Sequence, residues 1–499
     1  MFKKLIFTIL LILSATLSYS QYVNDALKFS SQNTFGTSKF NSMSGAFGSL
    51  GGDFSNLSHN PAGLGMYQFS EFTYTNSFGR NIVTSDFRDI KERDWQINSQ
   101  TENIGIVLSN PKSDLKVKRI NFGIGWNQTA SFDERIFISG SNNENSLADV
   151  FLSNANGNLI NDLDPFLEYL AFWTDVIDLA DNSIDTSTNY YLYDNGNYIS
   201  HVNSIFEKFQ YFQKESSGYT GEVPISLSTS IDDKLYLGVT MAIPIIEYSE
   251  RTLYSESNFS DTISDLTAFD LNRSLIVSGS GINIKAGAIY RLNNNFRVGL
   301  SAHSPSYISI QEEFNSSMRT SLSSGENSSE SSPYGFFEYD LITPWKIILG
   351  VSSTFNNLLL SIDYETIDYS FISLQSDIER FREENDFMSA NYVRTTNIKI
   401  GGEYKSNNLS LRFGYSEHGS PLKDEEDFNL VTNTIGIGYS IGNYFIDASY
   451  TNSKGKQNYS LYAVNGVSEN AELEKDRHRI VLGIGLKFWL VLIKLIFVN

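Results

Sequence analysis

Residues 120–127 read Ile120-Asn121-Phe122-Gly123-Ile124-Gly125-Trp126-Asn127. Large apolar side chains take one set of alternate positions, and Asn or Gly takes the other. Successive side chains of an extended chain point to opposite faces, so this octet has one greasy face and one small, polar face. The pattern returns down the chain. Leu235, Leu237, Val239, Met241, Ile243 and Ile245 share a side, and Ile480, Leu482, Ile484, Leu486 and Phe488 alternate with Val481, Gly483, Gly485 and Lys487. Reading every such segment predicts fourteen strands: 71–79, 103–109, 120–127, 220–230, 234–248, 273–290, 296–310, 341–353, 358–372, 392–404, 409–416, 431–440, 444–450 and 479–488.

The connections alternate in length. The even-numbered ones are short, at 110–118, 231–233, 291–295, 354–357, 405–408 and 441–443, and several are rich in Asn and Asp, as tight hairpins prefer. The odd-numbered ones run from about a dozen to about ninety residues, the parity of a membrane barrel with short inner turns and long outer loops. An unpaired backbone is very unfavourable in lipid, so a sheet there must close on itself. The fold class expected is all-β: a 14-stranded antiparallel transmembrane β-barrel.

Bulk composition agrees. The 499 residues carry a formal charge of -20, which argues against a nucleic-acid partner. Aromatic residues make up 14%, as the interfacial girdles of membrane barrels require. The absence of cysteine excludes disulfides, thiolate metal sites and Cys nucleophiles. Residues 1–20 read as a signal peptide: Lys3 and Lys4 supply the charged start, and 5–13 an apolar core too short to span a bilayer. Cleavage is expected after Ser20, before Gln21.

Ahead of the strands lies 45–64, with five glycines among small polar residues and the turn pair Asn60-Pro61. Gly lets another backbone approach closely, and Pro biases its neighbour away from helix. The segment reads as compact coil: a plug around which the barrel wraps, or an ordinary Gly-rich surface loop. The domain plan is thus 1–20 signal peptide, 21–70 N-terminal hatch, 71–488 barrel and 489–499 an apolar tail. That tail follows Phe488 and is too short for a membrane helix, so it reads as an altered gene end or an extension.

Asp25–Ser30, Met43-Ser44-Gly45-Ala46-Phe47-Gly48 and Asn60-Pro61-Ala62-Gly63-Leu64 resemble the amino-terminal hatch of FadL-type outer-membrane transporters of long-chain fatty acids and other hydrophobic compounds. A second likeness lies in Gly281-Ile282-Asn283, Gly287, Tyr290 and His303-Ser304-Pro305. The resemblance implies a Gram-negative outer-membrane location, a hatch in the lumen, passive uptake of hydrophobic small molecules, and no enzymatic activity, cofactor or metal. Its hatch motif would be Asn60, Pro61, Ala62 and Gly63. The partners implied are fatty acids, outer-membrane lipids and lipopolysaccharide, and the barrel-assembly machinery, with the chain a monomer. Outer loops would capture the ligand, and a hatch rearrangement would release it sideways near strand three, where Gly123 and Gly125 permit a kink.

If the large residues face lipid, the alternate set faces the lumen. It holds Asn283, Lys285, Arg297, His303, Lys346, Lys399, Arg412 and Lys487, with Asp363, Glu365 and Asp447. Most would pair across a wet interior. Lys285 and Arg297, on adjacent strands, are the first candidates for a carboxylate head group, with apolar wall from Phe47 and Phe54. In the longest connection, Asp164-Pro165 signals a helix start, with Phe166, Leu170, Trp173 and Ile177 at helical spacing. Phe166 and Trp173 would line an outer capture groove or pack on the rim, and Ile205, Phe209 and Phe212 suggest another short helix. None of the five histidines lies in a catalytic or metal-binding context. Two other readings remain: a polar-solute porin with an open lumen, and an adhesin or structural barrel acting through its loops.

Overall fold

The computed structural model describes residues 16–489 apart from 113–115, 181–183, 186–189, 192–195, 262–264, 379 and 424–428. The apolar core of the proposed signal peptide and most of the 489–499 tail lie outside the described residues. Among the described residues, fourteen strands form the barrel. They are β1 (Ser70–Phe87), β2 (Ile90–Pro111), β3 (Val117–Ser131, continued by Glu134–Asn142), β4 (Lys208–Ile231), β5 (Leu235–Ser257), β6 (Leu266–Arg291) and β7 (Phe296–His303, continued by Tyr307–Leu322). Then come β8 (Gly335–Ile342, continued by Lys346–Phe355), β9 (Leu358–Asp368), β10 (Arg394–Ser406), β11 (Leu409–His418), β12 (Leu430–Ile441), β13 (Tyr444–Val464) and β14 (Val467–Phe488). Each pairs antiparallel with its neighbours, and β1 pairs with β14 from Ser70↔Phe488 to Asp86↔Glu472, which closes the sheet. Closure leaves no strand edge for lipid to meet.

The alternation decides the two faces. Leu349, Ile362, Ile435 and Ile446 are each at least half exposed on the outside, while their neighbours Ser361, Asp363, Thr434 and Asp447 are buried within. The inner hairpins turn on residues that tolerate left-handed backbone, with φ of 52° at Asp232, 51° at Asp233, 51° at Asn356 and 52° at Asn407.

The outer side differs from the loops expected. The connections at 80–102 and 451–478 are not loops. Strands β1 and β2 run on to a two-residue turn at Arg88-Asp89, and β13 and β14 to one at Asn465-Gly466. Once clear of lipid a ladder needs no apolar face, so its hydrogen bonds persist where the hydrophobic alternation has stopped. Residues 205–212 are likewise mostly strand β4, and the helix expected after Asp164 is confined to six residues, Glu168–Trp173. Strands seven and eight are interrupted where Pro305 and Pro344 cannot donate to a ladder, and strand nine ends early at Asp368, which caps a 3-10 turn at Tyr369–Phe371.

The N-terminal segment fills the bore. It comprises helix α1 (Thr16–Ser30), short helix α2 (Ser38–Ser42), coil, a single helical turn Asn56–His59, and a 3-10 turn Pro61–Met66. Met43, Phe47, Phe54, Leu57, Ala62 and Leu64 are all fully buried. The wall admits this backbone because inward positions at its level are glycine. A Cβ at Gly299 would lie 1.9 Å from the Gly48 carbonyl oxygen, and one at Gly287 would lie 1.9 Å from Asn60 Oδ1. Gly238, Gly350, Gly401 and Gly414 meet the hatch backbone in the same way.

Over the outer mouth, helix α3 (Leu147–Ala155) and helix α4 (Glu168–Trp173) pack on the strand extensions. Val150, Phe151, Leu170 and Phe172 join Phe87, Ile136, Ile138 and Leu473 in one apolar core. The two ends of the connection that carries this cap meet at Lys208. The ammonium of fully buried Lys208 shares its three N–H groups among four backbone carbonyls, of Asn142 (3.2 Å), Asn145 (3.0 Å), Ser204 (2.9 Å) and Phe206 (3.1 Å).

Candidate functional site

The hatch is tied to the wall by polar contacts whose partners are far apart in sequence. Asn60 accepts from the Ala62 N–H at 3.1 Å and donates to the Gly48 carbonyl at 2.6 Å, so it caps the 3-10 turn and fixes the coil beside it. Pro61 at the first position of that turn has no N–H to leave unsatisfied. Ala62 and Gly63 are buried against Tyr236 and Asn56, respectively. The motif is therefore the joint by which the hatch seats on β5 and β6.

Further ties surround it. The Gly48 N–H donates to Asp363 at 2.6 Å, and His59 Nε2 lies 3.0 Å from the same carboxylate oxygen. The His59 carbonyl accepts from His303 at 2.9 Å. Arg479 reaches Glu102 (3.0 Å), the Thr34 carbonyl (2.8 Å) and Asn41 (3.1 Å), with its guanidinium 4.0 Å above the Phe35 ring. The Asn33 N–H donates to the Thr129 carbonyl at 2.9 Å. Thr129 lies at a register shift of β3, and Gly125 and Trp126 fall in a gap between the pairs Ile124↔Ile225 and Asn127↔Glu222. Strand three is thus irregular where the hatch touches it. Gly123 and Gly125 have a packing reason as well, since a Cβ there would strike Leu57 and Phe54 of the hatch, at 2.7 and 2.6 Å.

Lys285 is buried in an ion pair with Glu222 and donates to the Ser58 carbonyl at 3.2 Å, so its charge is already used. Arg297 sits elsewhere. The register sets Lys285 opposite His303 and Arg297 opposite Arg291, six residues along the strand or about 20 Å away. The two bases do not converge. Lys399 is paired with Glu365 at 3.2 Å, and Arg412 with Glu403 and Asp447 at 2.5 Å each. Among the described residues Lys346 has no carboxylate within ion-pair distance, and its ammonium donates to Gln32 Oε1 just beyond α1. A space of about 490 Å³, solvent at its mouth included, lies between Lys285, Lys346, Lys399 and the hatch residues 32–35.

Phe47 packs with Phe40, Met43 and Leu50, and Phe54 with Leu57, Leu64 and Val107, so both fill the hatch–wall contact rather than an open slot. Phe166 meets Phe314 with ring centres 4.8 Å apart, and Trp173 stands 46% exposed on the cap. These two do lie at the outer surface.

The sequence reading missed the chamber above the hatch. Val23, Ala26 and Phe29 of α1 are buried among Ile246, Tyr248, Leu275, Val277, Ile308, Ile310, Tyr339 and Leu341, all directed inward from β5 to β8. Ile367, the register partner of Lys346, belongs to the same cluster. The one signal available was that these inward positions are apolar where the rest of the lumen is polar.

No family model and no curated protein sequence matches this chain. Solved structures do. The toluene transporter TodX of Pseudomonas putida aligns with a TM-score of 0.54 and 13% identity over 92% of this chain and 99% of that one. A FadL homologue from Pseudomonas aeruginosa aligns with a TM-score of 0.54 and 14% identity over 92% and 99%. At such identity the likeness is one of fold: a hatch-plugged, 14-stranded barrel of the FadL type.

Proposed function

We propose that this chain carries hydrophobic compounds passively across the outer membrane, and that long-chain fatty acids are its ligands. The observation that carries the proposal is the apolar chamber inside a polar-walled barrel, with an unneutralised cation, Lys346, beside it. The present occupants are two large side chains of α1, Val23 and Phe29. Each contributes about 1.5–3 kcal/mol of burial, and each methylene of an alkyl chain about 0.8 kcal/mol, so roughly six methylenes offset their displacement. A fatty acid has more than that. Its carboxylate would replace Gln32 on Lys346, forming a charge-assisted hydrogen bond.

Transport follows from the same contacts. The ligand is gathered at the cap, where Phe166 and Trp173 offer apolar surface, and enters the chamber as α1 withdraws. Withdrawal of α1 pulls on residues 31–35, which hold the Thr129 carbonyl of β3. The interrupted β3–β4 ladder is then the way out to the membrane. The same seat accepts a neutral aromatic hydrocarbon, which needs no cation, and TodX, similar in fold, is a toluene transporter.

Uptake of radiolabelled oleate and of toluene by a transporter-null strain carrying this gene tests the reading. Oleate uptake above the empty vector is expected, with Lys346→Met lowering it about tenfold and leaving toluene unchanged. An inserted barrel that moves neither compound would reject the proposal.

A further inference from the structure

Beyond the end of β9, side-chain packing replaces the ladder in the barrel wall. The lower half of β8 pairs with β9 through ten residues, Lys346↔Ile367 to Phe355↔Leu358. Strand β9 stops at Asp368. Beyond that level the upper half of β8 meets only a three-residue strand, through Asp340↔Gln375, Leu341↔Leu374 and Ile342↔Ser373. Among the described residues that strand, Ser373–Gln375, has no ladder partner on its other side. A single side chain stands in for one: Asn385 of helix α5 (Arg382–Asn391) donates to the Leu374 carbonyl at 2.9 Å and accepts from its N–H at 2.8 Å. Tyr369, Ile372 and Leu374 of this strap are buried against the same apolar cluster that holds α1.

The height of the break is set by what faces outward. Below it, Ile347, Leu349 and Val351 are exposed, an apolar surface fit for lipid. Above it, the outward positions are Ser309, Gln311 and Glu313 on β7 and Glu338 and Asp340 on β8, with one apolar residue, Phe336, at the far end of that strand. Tyr307, Trp345 and Phe371, exposed by 58%, 59% and 67%, mark the level between. Aromatic residues gather at the membrane–water boundary. An incomplete ladder would be very unfavourable within lipid but is tolerable at this boundary, where water can satisfy the freed groups.

We propose that the strap Tyr369–Gln375 is a side door through which hydrophobic ligands pass from the outer surface of the membrane into the α1 chamber, between the upper half of β8 and the end of β9. The inference rests on the transport reading above, and it concerns admission rather than release. Opening it breaks three ladder pairs and the Asn385 clasp, whereas parting β8 from β9 below breaks ten. A ligand already partitioned into the membrane surface reaches an apolar cavity without crossing the polar extensions.

The chain has no cysteine, so a reversible lock can be built. Leu341→Cys with Leu374→Cys joins the strap to β8 at directly opposed positions. Ile342→Cys with Ser373→Cys is the second lock, should the first disturb folding. Tyr404→Cys with Leu411→Cys, on the lipid face of β10 and β11, is the reference. Initial oleate and toluene uptake is compared before and after reduction in cells, with barrel insertion verified by heat-modifiable migration. Oxidised locks are expected to lose at least about ninety per cent of uptake and regain it on reduction, with the reference unaffected. Full uptake through an oxidised, inserted lock would overturn the side door and leave the transport reading standing. If no inserted variant moves either compound even when reduced, the transport reading fails and the door with it.

Discussion

Replacing Lys208 with methionine should open the outer cap while leaving the barrel closed. The ammonium sits between the two ends of the long outer connection, taking carbonyls from Asn142 and Asn145 on one side and from Ser204 and Phe206 on the other. Methionine keeps most of the volume but donates nothing, so four inward-pointing carbonyls lose their partner. A buried carbonyl left unsatisfied costs about 1–3 kcal/mol, so the set lost here amounts to about 3–5 kcal/mol after partial relaxation. The cap bears most of it, because Asn142↔Lys208 is the terminal pair of the β3–β4 ladder and Asn145, Ser204 and Phe206 lie beyond its end. At 1.4 kcal/mol per factor of ten, the opening equilibrium of the cap should rise by roughly a hundred to several thousand times. Hydrogen exchange of the purified protein in detergent measures this directly. Amides of Leu147–Ala155 and 198–206 should exchange faster by that factor, with those of β10 to β12 unchanged. Unaltered exchange over 147–155 would refute the idea that this ammonium holds the two ends of the cap together.

Three further outcomes follow from the same kind of reasoning. Gly299→Ala sets a Cβ against the Gly48 carbonyl, so the hatch should shift and planar-bilayer recordings should show a raised or noisier conductance; a silent trace like that of the parent would contradict the tight fit. Glu102→Gln removes the charge facing part-buried Arg479 and should loosen residues 33–42 by about 1–3 kcal/mol, seen as faster exchange there and not in β13. Glu168, on the cap, has its carboxyl pushed up to about 7 by burial, while an exposed carboxyl ionises near 4.5. The cap therefore bears a penalty that grows as pH rises from 4.5 and is complete above 7, at most about 3 kcal/mol. Exchange of α3 and α4 should accelerate between pH 5 and 8 after correction for intrinsic rates, and Glu168→Gln should abolish that slope.

The barrel was legible because lipid imposes a strict rule on sequence. Every second residue must be apolar where the wall is bathed in hydrocarbon, and Ile480–Phe488 obeys it without exception. Outside the lipid the rule lapses, so the ladder from Arg80 to Phe87 and its partner from Ile90 read as loop. The hatch was legible as glycine-rich coil, but not its seat, because Gly238, Gly287, Gly299 and Gly350 look like weak strand positions until the backbone opposite them is known. The binding residues were the least legible. Lys285 and Lys346 are equivalent by alternation, and only the carboxylate of Glu222, sixty-three residues away, separates a neutralised base from an available one.

One feature of the wall reaches beyond transport. The first and last strands are neighbours, joined by seventeen residue pairs from Ser70↔Phe488 to Asp86↔Glu472. The cylinder can therefore be sealed only after the final strand has been delivered, and until then both margins are bare. A gene product cut short anywhere within β14 retains thirteen correct staves and no hoop. Such fragments should be degraded in the periplasm rather than accumulate as narrower channels.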